Sequence, residues 1–573
     1  MPGGGQIGIV AYGNQNRLFN GNPEQTFYYK VFKRFTHFSQ ESITIALDGP
    51  SLMMMDTPIQ LRAKIPRYAD LMTDLTLVFQ LPDIYSKLYP ANSPPSPYTS
   101  PNSHINTLTP SFRWIHMLGA FIIQNISIYV GGSQIQTFPG EWLAVRAATD
   151  MPADKYLKWR TLVGDIPELT EPEWGAFGKA RSYPYEKGGY PQNMLDASGS
   201  STTTAPSIRG REIRVPLPFW FTESWGAALP LVGLQLHEVE VQIQLRTLRD
   251  IFRIMDNVFQ TEPIRPGRRL QFNPNLPVNT LDQPMASLPS IDTHYNNLTL
   301  QANYQTYNDP IAPLQNYYIA QEDVGATTPT QSGFIMNARL EGNYIYLTEK
   351  EQAVFAEREL MHVVHQVQTF TFPSITAKTR LDLDSHGLLN RIVFFGRRSD
   401  AISSRNDFIN LSNWKYLNQP PYWPLSAPTT MANNLPIENS GRLISYAQRD
   451  ILQSARLLLA GNELQEEKSA TYFEVQTPFL NTVGSGEAGL NPAAVKPIDV
   501  MGPIYQIAFG LNVSDHEQPS GSLNTSRIRE VQLEVQPWNL DPYSTFAYDF
   551  TVYCESINTV KFMNGMGGLG FAI

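Results

Sequence analysis

Apolar and polar residues alternate strictly at several places along the chain. The stretches "LTLVF" (75–79), "ISIYV" (126–130), "VEVQIQL" (239–245), "FEVQ" (473–476) and "VQLEVQ" (531–536) each put apolar side chains on one face and polar ones on the other. Successive residues of a strand point to opposite faces, so this pattern predicts half-buried antiparallel strands. Polar, Pro/Gly-rich stretches separate them, notably 89–103, 196–207, 262–284 and 484–497, and these read as long loop insertions on a β-sandwich. One stretch is helical in character. In "LTEKEQAVFAEREL" (347–360), Thr348 and Glu351 have the spacing of a capping box, and good helix formers follow without Pro or Gly. Strand-like "EGNYIYL" (341–347) precedes it and "HVVHQVQTFTF" (362–372) follows, which predicts a short linker helix between two β-rich halves.

The halves echo each other. Laid without gaps over "LNTSRIREVQLEV" (523–535), the stretch "LVGLQLHEVEVQI" (231–243) pairs Leu231, Leu236, Glu238, Val239, Val241 and Ile243 with Leu523, Ile528, Glu530, Val531, Leu533 and Val535. Together with a junction near mid-chain, this predicts one sandwich duplicated within the chain. Composition agrees. Charged residues are only 17% of the 573, while Pro (44), Gly (38), Tyr (27) and Phe (29) are abundant, a mix suited to short strands and tight turns rather than long solvated helices.

Other features narrow the function. The lone Cys554 excludes an internal disulfide, and the opening residues lack the basic and apolar regions of a signal peptide, so synthesis in the cytoplasm is expected. A net charge of −9 argues against direct nucleic-acid binding, and Lys30, Lys33 and Arg34 in "KVFKRF" are too few to supply a phosphate footprint. The pattern G-x-G-x-x-G occurs at Gly3, Gly5, Gly8 and at Gly565, Gly567, Gly570, but neither copy lies between a strand and a helix, as a dinucleotide site requires. His362 and His365 are three apart in a predicted strand and so point to opposite faces; no cofactor or metal is expected. Cys554 shares the apolar face of "FTVYCES" and reads as a buried hydrophobe, not a nucleophile. Asp165, Glu168, Glu171 and Glu173 are the carboxylates that a glycoside-cleaving or carbohydrate-binding β-sandwich would use, the alternative reading of the same strand pattern, but a solvated loop face explains them more simply. Sequons at Asn125, Asn297, Asn410, Asn512 and Asn524 carry little weight in an Asn-rich chain.

The segment 10–43, "VAYGNQNRLFNGNPEQTFYYKVFKRFTHFSQESI", has no sustained period, yet it carries Phe19, Phe27, Tyr28, Tyr29 and Phe32, too many large apolar groups to leave in water. This segment resembles the N-terminal signature of the major capsid proteins of large eukaryotic DNA viruses. Further blocks resemble the same family: "IYVGGSQIQ" and "GEWL" (128–143), "VPLPFWFTESWGAALPLVGLQLHEVEV" (215–241), "NYIYLTEKEQAVFAE" (343–357), "EQPSGSLNTSRI" (517–528) and "NGMGGLGFA" (564–572).

The resemblance implies an all-β fold of two consecutive antiparallel jelly rolls, a double jelly roll. The expected divisions are an N-terminal arm (1–35), a first jelly roll with insertions (36–347), the linker helix (348–361) and a second jelly roll (362–573). It also implies a homotrimer forming a pseudo-hexagonal capsomer, packed with neighbouring capsomers, minor capsid or cement proteins and a penton protein in the icosahedral shell of a virion, close to an internal membrane. Phe19, Phe27, Tyr28, Tyr29, Lys30, Phe32, Lys33 and Arg34 are then expected to make assembly contacts at the capsomer base. No catalytic residue is expected.

Overall fold

A computed structural model describes residues 13–14, 17–24, 33–54, 56–86, 89–90, 111–170, 172, 194–195, 206–255, 317–320, 333–413, 450–482, 501–527, 530–540 and 546–571. The chain divides into two compact units, Met1–Ser39 and Gln40–Ile573. In the first, Arg17–Asn20 make one helical turn, and Lys33 and Arg34 are exposed. Most of the loop stretches predicted above lie outside the described residues.

The first sandwich is built from β1 (Phe38–Ala46), β2 (Ile59–Lys64), β3 (Leu71–Gln80), β4 (Ile123–Val130), β5 (Ser133–Pro139), helices α1 (Gly140–Asp150) and α2 (Ala153–Leu162), β6 (Glu212–Pro216), β7 (Leu229–Pro230), β8 (Val239–Leu245) and β9 (Arg339–Leu347). One sheet has the order β1-β9-β3-β6, with β7 also on β3; the facing sheet has the order β2-β8-β4-β5. Strand β8 shows why the alternation was a reliable signal. Val239, Val241, Ile243 and Leu245 are buried, while the polar residues between them are half-exposed.

Helix α3 (Glu349–Glu357) leads into the second sandwich: β10 (Leu360–Ile375), β11 (Thr379–Leu383), β12 (Leu388–Arg398), α4 (Ser399–Arg405), β13 (Leu452–Leu459), β14 (Asn462–Ser469), a π-helical turn (Tyr472–Gln476) continuing as α5 (Thr477–Asn481), β15 (Tyr505–Ala508), β16 (Leu523–Asn524), β17 (Val531–Pro537), β18 (Tyr548–Met563) and β19 (Met566–Leu569). Its sheets have the orders β10-β18-β12-β15, with β16 on β12 and β19 on β18, and β11-β17-β13-β14. Every pairing in these two sheets of the first sandwich recurs between the corresponding strands of the second. Both sandwiches are jelly rolls, and the fold is a double jelly roll.

The sequence echo has a structural counterpart. Val239 opens β8 and Val531 opens β17, the second strands in their respective sheet orders. The hairpins also correspond: β4 turns into β5 through Gly131 and Gly132 (φ 57° and 83°), and β13 into β14 through Ala460 and Gly461 (φ 48° and 80°). Two successive positive φ angles make the tight turn whose twist suits paired strands, and Ala460 adopts the first of them at the steric cost a Cβ imposes there.

Two local expectations are corrected. "FEVQ" (473–476) is not a strand, because Tyr472–Gln476 wind into the π-helical turn, with Phe473 buried in the second core. Four alternating residues are too few to separate a strand from one face of a helix. Thr348 does stand at the N-cap of α3, but its side chain makes no capping hydrogen bond. Asp70 of the first sandwich anchors this end instead, accepting from Leu347 N at 2.8 Å and from Gln352 Nε2 at 2.6 Å.

Candidate functional site

The segment 40–573 carries its chemistry where the two jelly rolls meet. Strand β12, "LLNRIVFFGRR", is buried along its whole length apart from Leu388. Ile392 and Phe394 point into the second core, whereas Val393 and Phe395 join the hydrophobic cluster of the first sandwich. Strand β18 behaves alike, with Val552 and Cys554 in the second core and Tyr553, Val560 and Phe562 in the first. One sheet of the second jelly roll is thus covered on both faces, and its outer cover includes helix α1.

Why α1 sits there follows from its first residues. A Cβ on Gly140 would lie 2.2 Å from the carbonyl oxygens of Ala120 and Ile123, so only glycine lets the helix start hard against β4. The next residues, Glu141 and Trp142, then cross the seam. Glu141 accepts from Tyr553 Oη at 3.0 Å and pairs with Arg397, while Trp142 packs on Tyr553 with ring centroids 5.1 Å apart. At the far end of the helix, Asp150 accepts a two-pronged contact from Arg391 Nη1 and Nη2, at 2.6 and 2.7 Å. Arg391 donates its Nε to Glu555 at 2.5 Å, its side chain fully buried. Burial alone would push both carboxyls up, but the Arg391 charge and the hydrogen bonds to Asp150 and Glu555 more than offset it, and each is held well below the usual carboxylate range. Their charge in turn holds the guanidinium firmly protonated against its burial. Arg146 pairs with Glu223 at 2.5 Å, and Gln136 Nε2 donates to the backbone oxygen of His365 at 2.8 Å.

Two further carboxylates, one in each sandwich, make the fold acid-sensitive. Asp165 would be pushed up by burial, but the Arg160 charge and the His116 hydrogen bond bring it to about 2. Hydrogen bonds from Arg456, then Arg380 and Lys378, hold Glu534 at about 2 despite partial burial. Unfolded Asp and Glu titrate near ~4. A depressed folded value contributes stability that is complete above the unfolded value and is lost as pH falls through the folded one. Urea midpoints are therefore expected to hold from pH 7 to about 5 and to fall steeply between about pH 4 and pH 2. Glu534→Gln should flatten that slope. Equal midpoints at pH 4 and pH 2 would contradict the assignment.

Of the sequence-predicted assembly residues, Lys33 and Arg34 are exposed; Phe27, Tyr28, Tyr29, Lys30 and Phe32 lie outside the described residues, as does the side chain of Phe19. Of the candidate carboxylates, Asp165 is committed to His116 and Arg160 and Glu168 is exposed; Glu171 and Glu173 lie outside the described residues. Cys554 is fully buried, and burial pushes its thiol up to about 12. The seam residues Arg391, Asp150 and Glu555 escaped sequence reading, since 241 and 164 positions separate Arg391 from its partners. A continuous apolar run bracketed by arginines in β12 was the available cue.

Two family models match the chain, one described as the major capsid protein N-terminus over residues 26–267, the other as the large eukaryotic DNA virus major capsid protein over residues 351–568. The chain belongs to this major capsid protein family. Relatives match along the entire length: the major capsid protein of Phaeocystis pouchetii virus is 23% identical and that of Chrysochromulina ericina virus 22%, with 99% and 100% of both chains covered, respectively. Among solved structures, PBCV-1 VP54 superposes with a TM-score of 0.56 at 18% identity, covering 96% of this chain and all of that one. The Faustovirus major capsid protein gives 0.56 at 13% identity, covering 94% and 93%. This capsid protein is therefore a structural molecule and not an enzyme, and the seam joins its two jelly rolls through Asp150, Arg391 and Glu555.

Proposed function

We propose that three copies of the chain close head to tail into a pseudo-hexagonal capsomer, and that capsomers tile an icosahedral shell. The observation that supports this most is a pair of unfilled places left by the internal repeat. In the first jelly roll the helix following β5 is α1, and it fills the seam. In the second, the helical segment following β14 occupies the corresponding position, starting at Ala470 where the first starts at Gly140. Counting forward, Glu141, Val145, Arg146, Thr149 and Asp150 correspond to Thr471, Val475, Gln476, Phe479 and Leu480. Every one of those five is exposed, Phe479 by 83% and Leu480 by 62%, with Leu511 beside them at 80%.

The complementary place is on the first jelly roll. Its β1-β9-β3-β6 sheet corresponds to the doubly covered sheet of the second, and on its outer face Arg339, Glu341, Asn343, Arg214 and Thr76 are half-exposed and Asp74 is exposed, while Val78 between the two arginines is buried. A stripe without its sheet and a sheet without its helix, on the two jelly rolls of one chain, are the two halves of a heterologous contact. Repeating the internal geometry between copies gives a ring, and three copies give six jelly rolls, the number the family resemblance implies. Electron micrographs of the purified protein test this reading: hexagonal outlines holding three chains support it, and isolated two-lobed monomers defeat it.

Residues 1–35 belong to the same proposal as an arm at the capsomer base. Its Phe19, Phe27, Tyr28, Tyr29 and Phe32 supply apolar contacts to neighbouring capsomers or minor capsid proteins, and Lys30, Lys33 and Arg34 meet acidic partners or the headgroups of an internal membrane. Penton and cement proteins fill the remaining places. Synthesis in the host cytoplasm fits a chain whose one thiol is buried and unpaired. Deleting residues 2–35 is expected to leave a trimer with a near-wild-type melting temperature that builds no shells. Normal shells from the truncated chain would refute the arm, and an insoluble product would place these residues in the sandwich core instead.

A further inference from the structure

Two histidines crowd against Glu555 in the seam. His365 on β10, Glu555 on β18 and His516 in the segment 501–527 present one nitrogen or oxygen each, all within 4.8 Å of one another. Glu555 Oε1 lies 3.1 Å from His365 Nδ1 and 3.6 Å from His516 Nδ1, and the imidazole rings meet edge to face with centroids 4.4 Å apart. Both side chains are more than nine-tenths buried, with 7% and 9% exposed. Even so, His516 Nδ1, the nitrogen that faces Glu555 Oε1, lacks a hydrogen bond of normal geometry. Buried imidazole nitrogens left in this state cost free energy unless something else binds them.

We propose that His365, His516 and Glu555 bind one transition-metal dication of the zinc class. With metal–ligand bonds of about 2.0–2.1 Å, the edge of a zinc tetrahedron is about 3.4 Å. The two measured spacings, 3.1 and 3.6 Å, bracket that edge. The surroundings supply the outer contacts that such ligands need. Glu555 Oε2 is fixed by Arg391 at 2.5 Å, which leaves Oε1 free to face the imidazoles. His516 Nε2, on the far side of its ring, lies 3.5 Å from Asp150 Oδ2, so a carboxylate backs the ligand. Glu223 Oε2, 3.9 Å from His516 Nδ1, is the nearest group for a fourth position.

Local charge selects the kind of ion. Asp150, Glu223 and Glu555 face Arg146 and Arg391, which leaves only one net negative charge. Calcium and magnesium seek several oxygen ligands and a more negative site, whereas zinc-class ions gain from imidazole nitrogen. The bound ion would pin the segment carrying His516 onto the sheet that α1 covers, fastening the seam from inside.

The test uses the full-length protein, stripped with a chelator at neutral pH and titrated with Co²⁺ and with Zn²⁺. One equivalent per chain is expected to saturate, with a visible Co²⁺ absorption band and a raised melting temperature, while Mg²⁺ at the same concentration changes neither. His365→Gln and His516→Gln should stay folded by circular dichroism and bind about tenfold more weakly or worse. Absence of saturable binding overturns the proposal, as does wild-type affinity in both variants. A melting temperature that tracks pH but not metal would mean the cluster takes only a proton, and would also overturn it. Light scattering on the stripped protein keeps this separate from capsomer formation, since a trimer without metal binding defeats only the metal site.

Discussion

Replacing Phe479 and Leu480 together by aspartate is expected to give a folded chain that no longer associates. Both side chains are mostly exposed on the single chain, so the substitution removes little internal packing, and far-UV circular dichroism should match the wild type. In the proposed ring the same two positions would lie at the centre of each contact between copies. There, two buried carboxylates per contact would lie against the ladder formed by Arg339, Glu212, Arg214 and Glu341, whose charges already pair with one another at 2.6–3.1 Å. An unpaired charge buried at an interface commonly costs several kcal/mol. Repeated around the ring, that shifts the equilibrium from trimer to single chain at micromolar concentration. Retention of the full trimeric mass would show that the stripe faces something else.

The second large effect concerns the seam inside each chain. Arg391→Met keeps most of the side-chain volume but strands Asp150 and Glu555 as buried carboxylates without a cation between them. Breaking a buried ion pair from one side costs about 3–5 kcal/mol, because the remaining charge stays desolvated. The melting temperature should fall by several degrees or more. The deficit should also shrink as pH falls from 7 toward 5, since the stranded carboxyls are then driven upward by burial and take up protons. The wild type has no such gain on acidification. A variant as stable as the wild type at pH 7 would mean that Arg391 is not what joins the two sandwiches.

How far the sequence reached depended on where each signal was stored. Strand β8 and strand β17 were legible because one face of each is buried, which writes period two directly into "VEVQIQL" and "VQLEVQ". Their echo indicated the duplication. Strand β12 was harder, because a strand covered on both faces loses the alternation and reads only as an apolar run. The helical turn at Tyr472–Gln476 was misread for the opposite reason: four residues with a buried Phe473 fit either period. Several blocks that resembled the capsid family turn out to be seam parts: "GEWL" supplies Glu141 and Trp142, and "FWFTESW" supplies Glu223. The partners of Arg391 were not legible, since they come from different ends of the chain and an isolated arginine is ordinarily read as solvated.

The exposed stripe became meaningful only when the repeat was laid over the structure. Val475, Phe479 and Leu480 are unremarkable singly, and surface apolar residues are common. Their place on the helix that corresponds to α1, where Leu480 matches the seam residue Asp150, turns them into an expected contact. The most direct measurement is an electron-microscopic reconstruction of the purified particle. The account predicts three chains in a closed ring, with Val475–Leu480 of each second jelly roll packed on the sheet carrying Arg339–Leu347 of the next copy, in the same arrangement that α1 makes on β12 and β18 within a chain. A particle of three chains in which that stripe faces solvent, or joins a like stripe across a two-fold axis, would contradict it.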